Sequence, residues 1–515
     1  NLDADAVQPT TTTTAPVLDL DLDLSSDAAM SMLAFYGIGQ CYIKRINTTT
    51  GTTPTATTPT GDGDGYELDL TYLSGLGVRD GFEQYGVRAT FNMNREINSI
   101  YVCSSNKTIT PLHTTTVSST VPDEKCMKCT FTEWEHAKDA LKVSLALAVT
   151  TTDHLVHGQW IVSNCIDIAC RSCLEHTHPI RRVMQAFMGL NNGNRNNNVN
   201  INDNVNTSGV INNTTSPTAN TANTASNTTN IYLPENGLFH RMTGLTHGSL
   251  LELYNYSTST FIYESYPEYI EKKHFDEDFI KISPLYTDGL LIWDAYIVFF
   301  SNYISHIYKD EESLMSDAQL SVFWDCVDTK GITSSSTSNS NSTNNNSTTS
   351  DGLLCYGLPK LSKVALVNYL THVAFTITTW SGFVGGLKYY NMNVSGLCMK
   401  QRVRRVNTGN TMDMDVGMGM DGQTYVQSLI YNSLTDTNNT DNTNNTTIMS
   451  DWRHLLPEGD DVSKYHGMLM EDLLRIASSM SQRNERNERD ERDGGNGSNG
   501  RSCIGDAFNP LHHYR

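Results

Sequence analysis

Basic residues are scarce in this chain. There are 36 lysines and arginines against 56 acids, a net charge of −20 over 515 residues. A general nucleic-acid binder needs a basic face, so that class is not expected here. No apolar run of membrane-spanning length is free of polar interruption. The best candidate, "VALVNYLTHVAFTITTWSGFVGGL", carries Asn368, His372 and Trp380 and reads as a buried core helix. Eleven cysteines in so long a chain give no dense disulfide framework. A phosphate loop, a dinucleotide fingerprint, a nucleophile elbow and a zinc-protease motif are all missing. Nothing at the start, which is Asn1, resembles a signal peptide. The cytoplasm is therefore the default expectation.

What is abundant is Thr, Asn and Ser in long polar tracts. Such tracts cannot bury enough apolar surface to offset their ordering entropy. Residues 1–65 read as a largely disordered tail with one apolar segment, "MSMLAFYGIGQCYI". Residues 66–515 read as a single domain carrying insertions at about 191–230, 333–350, 407–447 and 484–502. Sequons such as Asn106-Lys-Thr come automatically with this composition and do not establish secretion.

Between the tracts the pattern is mostly helical. "YGVRATFNMNREINSIYVC" alternates around a polar turn and predicts a β-hairpin over 85–103. From Glu133 a long helix is predicted, ended by His178-Pro179, because a residue before proline avoids the α region. Two or three short helices follow over 238–275. Asp317 is a plausible helix cap. A second long apolar helix spans 361–384 and stops at Gly385-Gly386. An amphipathic helix, "YHGMLMEDLLRIASSMSQRN", lies near the end. Helices that are apolar all round belong inside a large bundle. Polar residues on them must be satisfied, so 154–164 and 372–382 are where chemistry would sit.

The stretch "DHLVHGQWIVSN" holds His154, His157, Gln159 and Asn164. Residues three apart share a helix face. His154 and Gln159, five apart, share one only if the helix carries a π-bulge, which often marks a functional site. Imidazole and amide oxygen suit iron or zinc. The plainer reading is a set of buried polar groups bonded to each other and to backbone. Cys126-Met-Lys-Cys129 and Cys170-Arg-Ser-Cys173 are two thiol pairs that a structural zinc would need, at a separation about twice the usual. The acids at Asp310–Glu312 and the arginines near 483–492 read as solvated charge.

Read in order, six segments resemble the catalytic domain of lipoxygenases, in the small form without the N-terminal β-barrel. They are "YGVRATFNMNREINSIYV", "WEHAKDALKVSLA", "HPIRRVM", "DGLLIWDAYIVFFSNYISHIYKDEESLMSDAQLSVFWDCV", "LPKLSKVALVNYLTHVAF" and "AFNPLHHYR". The resemblance implies a mainly α fold with a small β-hairpin region near its start. It implies one non-haem iron and a polyunsaturated fatty acid and O2 as substrates, giving a hydroperoxide, with peripheral membrane contact compatible. Carried over by position, the ligand places fall on His154, Gln159, Ser381 and Gly385. The carboxylate of the family's terminal Ile is not seen in the given sequence, which ends in "LHHYR". His157 and His372 are the residues that a shift of helix face would bring in. Two outcomes follow from the resemblance: an iron dioxygenase, or a catalytically inactive relative that binds lipid or a partner.

Overall fold

The structure is a computed structural model. It describes residues 26–46, 65–111, 124–191, 235–273, 283–330, 357–385, 399–401 and 460–493, with residues 275, 280, 453 and 456. Apart from Asn191, the expected insertions at 191–230, 333–350 and 407–447 lie outside the described residues, as does the segment "AFNPLHHYR".

The apolar segment inside the expected tail forms α1 (Asp27–Phe35), a tight turn at Ile38–Cys41 and β1 (Ile43–Ile46). Ala29, Met30, Phe35, Ile38 and Ile43 are all buried in the main core. Asp27 fixes this corner, accepting from Trp134 Nε1 at 2.8 Å and from Lys138 Nζ at 3.1 Å. The expected hairpin is present as β3 (Val87–Phe91) and β4 (Ile97–Val102). It is the middle of a larger antiparallel sheet, in the order β1, β2 (Gly65–Asp69), β3, β4, β5 (Lys107–Ile109). Ile43, Leu68, Ala89 and Ile100 pair across four strands and are all fully buried. Period-2 alternation puts such a row on one face, against the helices. The outer strands escape sequence pattern because they are short and carry charge, as in the Lys44–Glu67 pair at 3.1 Å.

The first long helix runs unbroken through three parts: α2 (Glu124–Ala148), a wide π segment (Val149–Asn164) and α3 (Cys165–Cys173). It ends at Cys173, earlier than expected, with Leu174 already extended. His178-Pro179 instead opens α4 (Pro179–Asn191), where the missing proline N–H costs nothing. The short helices α5 (Leu238–Met242), α6 (His247–Thr260) and α7 (Tyr266–Lys272) follow. Next come α8 (Pro284–Ile307), α9 (Glu311–Met315) and α10 (Ala318–Lys330). Asp317 caps α10, accepting from Leu320 N at 3.0 Å. The second long helix is α11 (Lys363–Phe375), a π turn (Thr376–Trp380) and α12 (Ser381–Gly385). The last helix, α13 (Asp460–Asp493), continues ten residues into the expected insertion at 484. Glu and Arg recurring every three or four residues are good helix formers, which the reading as solvated charge had passed over.

By length and composition Leu285–Ile307 could cross a membrane. Here it is a core helix: Trp293, Tyr296, Phe300 and Tyr303 along it are buried. The two long helices meet at their wide segments, and these position the candidate site.

Candidate metal centre

The wide segment answers the spacing problem. A π-helix closes its hydrogen bonds five residues apart, so His154 and Gln159 come onto one face. Threonines and glycine fill it: Thr150, Thr151, Thr152 and Gly158 are buried. Thr152 Oγ1 bonds Ser257 Oγ at 2.9 Å, while the hydroxyls of Thr150 and Thr151 have no partner among the described residues.

Three of the expected positions converge. Gln159 Nε2 donates to Ser381 Oγ at 3.0 Å. The His154 ring bonds the backbone of Ser381, and its Nδ1 is buried without a partner. Burial lowers the His154 pKa to about 4, the Ser381 contact opposing it, so the ring is neutral near pH 7. Gly385, at the end of α12, supplies no side chain.

The other two histidines do not join them. His157 Nε2 bonds the Ser257 carbonyl at 2.9 Å, and its ring meets Phe261 edge-on at 5.3 Å. His372 bonds the backbone of Glu264, faces Tyr263 at 5.0 Å and leaves Nε2 buried and unpartnered. Burial lowers both pKa values to about 4. Among the described residues no hydrogen bond links either ring to Gln159 or Ser381.

Sequence reasoning missed Asp153, the neighbour of His154. Tyr42 donates to its Oδ2 at 2.8 Å. Burial raises the Asp153 pKa to about 7, against the Tyr42 bond and the charge of Lys273. No local signal marks this pair, because 111 residues separate the partners. Lys273 Nζ sits 5.0 Å over the Tyr269 ring and donates to the Cys41 carbonyl.

The iron implied by the resemblance was tested against these donors. Among the described residues, no group of three or more His, Cys, Asp and Glu comes together to hold a metal. At the converged positions there is one imidazole, an amide and a hydroxyl. The amide directs its NH2 at Ser381, which is the donor side and not the ligating oxygen. Neutral oxygen groups hold Fe(II) far more weakly than imidazoles and carboxylates. The described residues do not fit the group. For zinc, the side chains of Cys126 and Cys129 lie outside the described residues. Cys170 is buried and Cys173 half-buried, and neither forms a disulfide among the described residues.

Residues 272–351 match the family model described as Lipoxygenase. Over 48 residues the chain is 42% identical to "Lipoxygenase 6, chloroplastic" of Arabidopsis thaliana, covering 9% of this chain and 5% of that one. The crystal structure of "Delta413-417:GS LOX" superposes with a TM-score of 0.67 at 14% identity, over 96% of this chain and 67% of that one. An anaerobic crystal structure of the same protein in complex with arachidonate gives a TM-score of 0.64 at 14% identity, over 89% and 64%. The chain thus spans about two thirds of these solved structures, and the matched segment a small part of the curated relative. The order of the helices and the small sheet before them agree with that likeness. Residues 272–351 thus resemble the Lipoxygenase family, and the chain has the mainly helical fold of lipoxygenase catalytic domains, with a small sheet near its start.

Proposed function

We propose that this chain is a non-catalytic lipoxygenase relative that binds a long-chain polyunsaturated fatty acid without a catalytic iron. The observation that carries this reading is the 3.0 Å bond from Gln159 Nε2 to Ser381 Oγ. It closes, with a neutral hydrogen bond, two positions where the resemblance expects ligands. The ligand class is taken from the likeness to the arachidonate complex. It is in keeping with the apolar surroundings, where Trp160, Ile161, Phe375, Ile377 and Phe383 are buried.

One observation favours the iron dioxygenase acting on fatty acid and O2. His154 Nδ1 is buried and unpartnered, so one imidazole nitrogen remains available to a metal.

The two readings separate on metal content. The protein is loaded anaerobically with Fe(II), desalted and assayed for iron, then for oxygen uptake on linoleate. Binding is followed by displacement of a fluorescent polyene fatty acid. The proposal expects no retained iron, no uptake and saturable binding. About one iron per chain with hydroperoxide formation would overturn it in favour of the dioxygenase.

A further inference from the structure

The two histidines that leave the central site share an unexpected neighbour. Residues 261–265 join α6 to α7 without regular structure. Phe261 packs on His157, in the first central helix. Tyr263 packs on His372, in the second, and lies 6.0 Å from the Tyr369 ring. The backbone of Glu264 bonds the His372 ring. The segment therefore crosses the seam between the two helices that carry His154, Gln159 and Ser381. It crosses on the outside, because Ile262 within it is 68% exposed.

Its attachment is uneven. Ile262, Tyr263 and Glu264 make no backbone-to-backbone hydrogen bond among the described residues. At the far end Ser265 and Glu268 form a capping box, a firm start to α7. At the near end four successive hydroxyls bond back into α6. Ser257 donates to Leu253 O, Thr258 to Tyr254 O and Ser259 to Tyr256 O, each at 2.8 Å, and Thr260 to Tyr256 O at 3.0 Å. Such back-bonding competes with the helix and bends it, and Ser and Thr are weak helix formers. The combination is a soft hinge, an arm whose residues 262–264 are held by side-chain contacts that include the Lys272 ion pair to Glu264, and a rigid anchor. Low local contact of this kind is where proteins open below global unfolding.

We infer that Phe261–Ser265 is a hinged strap over the seam between the two central helices, and that His157 and His372 are its latches. Opening at 258–260, beyond Ser257 whose hydroxyl and carbonyl are held by Thr152 and His157, admits an apolar ligand to the interior. That gating role rests on the lipid-binding reading, whereas the hinge itself does not.

Two measurements on the full chain decide these separately. Ethoxycarbonylation of His157 and His372, read by mass spectrometry, reports strap opening without any ligand. Both are expected to react together, faster than the protein unfolds by tryptophan fluorescence. Reaction only at the rate of global unfolding overturns the strap. Stopped-flow binding of cis-parinaric acid is then compared between wild type and Phe261→Ala with Tyr263→Ala. Loss of two ring contacts should speed association and dissociation alike, on the order of 10-fold, with little change in Kd. A change confined to dissociation makes these residues pocket wall and overturns the gate. If wild type binds no parinaric acid, the lipid-binding reading and the gate fail, and the histidine reactivity still decides the hinge.

Discussion

Gln159 and Ser381 invite a double-mutant cycle that tells a hydrogen-bonded clasp from a ligand pair. A buried neutral hydrogen bond contributes about 1 kcal/mol net, and a buried donor left alone costs about 1–3 kcal/mol. Ser381→Ala strands Gln159 Nε2, which has no other partner within the described residues. Gln159→Leu keeps most of the volume and removes the stranded donor. The double variant should therefore be less destabilised than the sum of the singles, by about 1–2 kcal/mol. Urea unfolding followed by fluorescence is the assay, since Trp160 and Trp380 flank the pair in the chain. The same titration is run with a strong chelator and with added Fe(II). A clasp needs no metal, so neither should move the midpoint. A metal present at 100 times its Kd would lend about 2.7 kcal/mol, which chelation would remove. Additive singles, or a chelator-sensitive midpoint, would refute the clasp.

Three other outcomes are expected. Gln159→His with Ser381→His should place three imidazoles together with His154 and create a site for Co(II), seen as visible absorption at one metal per chain; a folded variant that stays colourless counts against convergence of these positions. His154, His157 and His372 have folded pKa values of about 4, below the unfolded value of about 6.5. Their contribution to stability is full above about pH 6.5 and is lost as pH falls through about 4, whereas Asp153, raised to about 7, works against stability as pH rises towards 7. Urea midpoints should then fall between about pH 6.5 and 4, and Asp153→Asn should raise the midpoint at pH 8; a lower midpoint would mean the ionised carboxylate is needed. A Cβ on Gly289 would lie 2.5 Å from the Tyr266 hydroxyl, itself fixed on Leu285 O at 2.7 Å. Gly289→Ala should therefore cost about 1–3 kcal/mol by calorimetry, and an unchanged melting temperature would show that the Tyr266 ring can yield.

The fold was most legible where apolar period and length agree. The long helices around 134–176 and 361–384 announce themselves because their faces are apolar nearly throughout, and the structure buries them. Asp317 was legible as a cap because its chemistry is local. β1 and β2 were not, because four or five residues with lysine, arginine and glutamate carry too little alternation, and their pairing is decided across the sheet. The end of the first helix was misjudged for a different reason. His178-Pro179 is a strong boundary signal, but proline suits the first turn of a helix as well as it ends one, and here it starts α4. The continuation of α13 through Asp493 was passed over too: the charge run was read as solvated charge in an insertion, where the Glu/Arg spacing is itself helical.

For the site, spacing carried further than residue type. Five residues between His154 and Gln159 required a wide turn, and the structure places a 16-residue π segment there. Counting back from the glycines reached Ser381, and Ser381 lies in hydrogen-bond contact with Gln159. Backbone geometry thus brings Gln159 and Ser381 together. Residue type pointed the other way, towards His157 and His372, because histidine is the usual ligand and both sit on central helices. Their rings instead meet Phe261 and Tyr263, residues whose place over the seam depends on how α6 ends. No sequence window around either histidine contains that contact. A histidine on a buried helix therefore says little until its ring nitrogens are traced. His157 spends one on a carbonyl, His372 one on a backbone group, and only His154 turns towards the position of Ser381. At the converged positions the groups hold each other: Gln159 Nε2 donates to Ser381 Oγ, and the His154 ring bonds the Ser381 backbone.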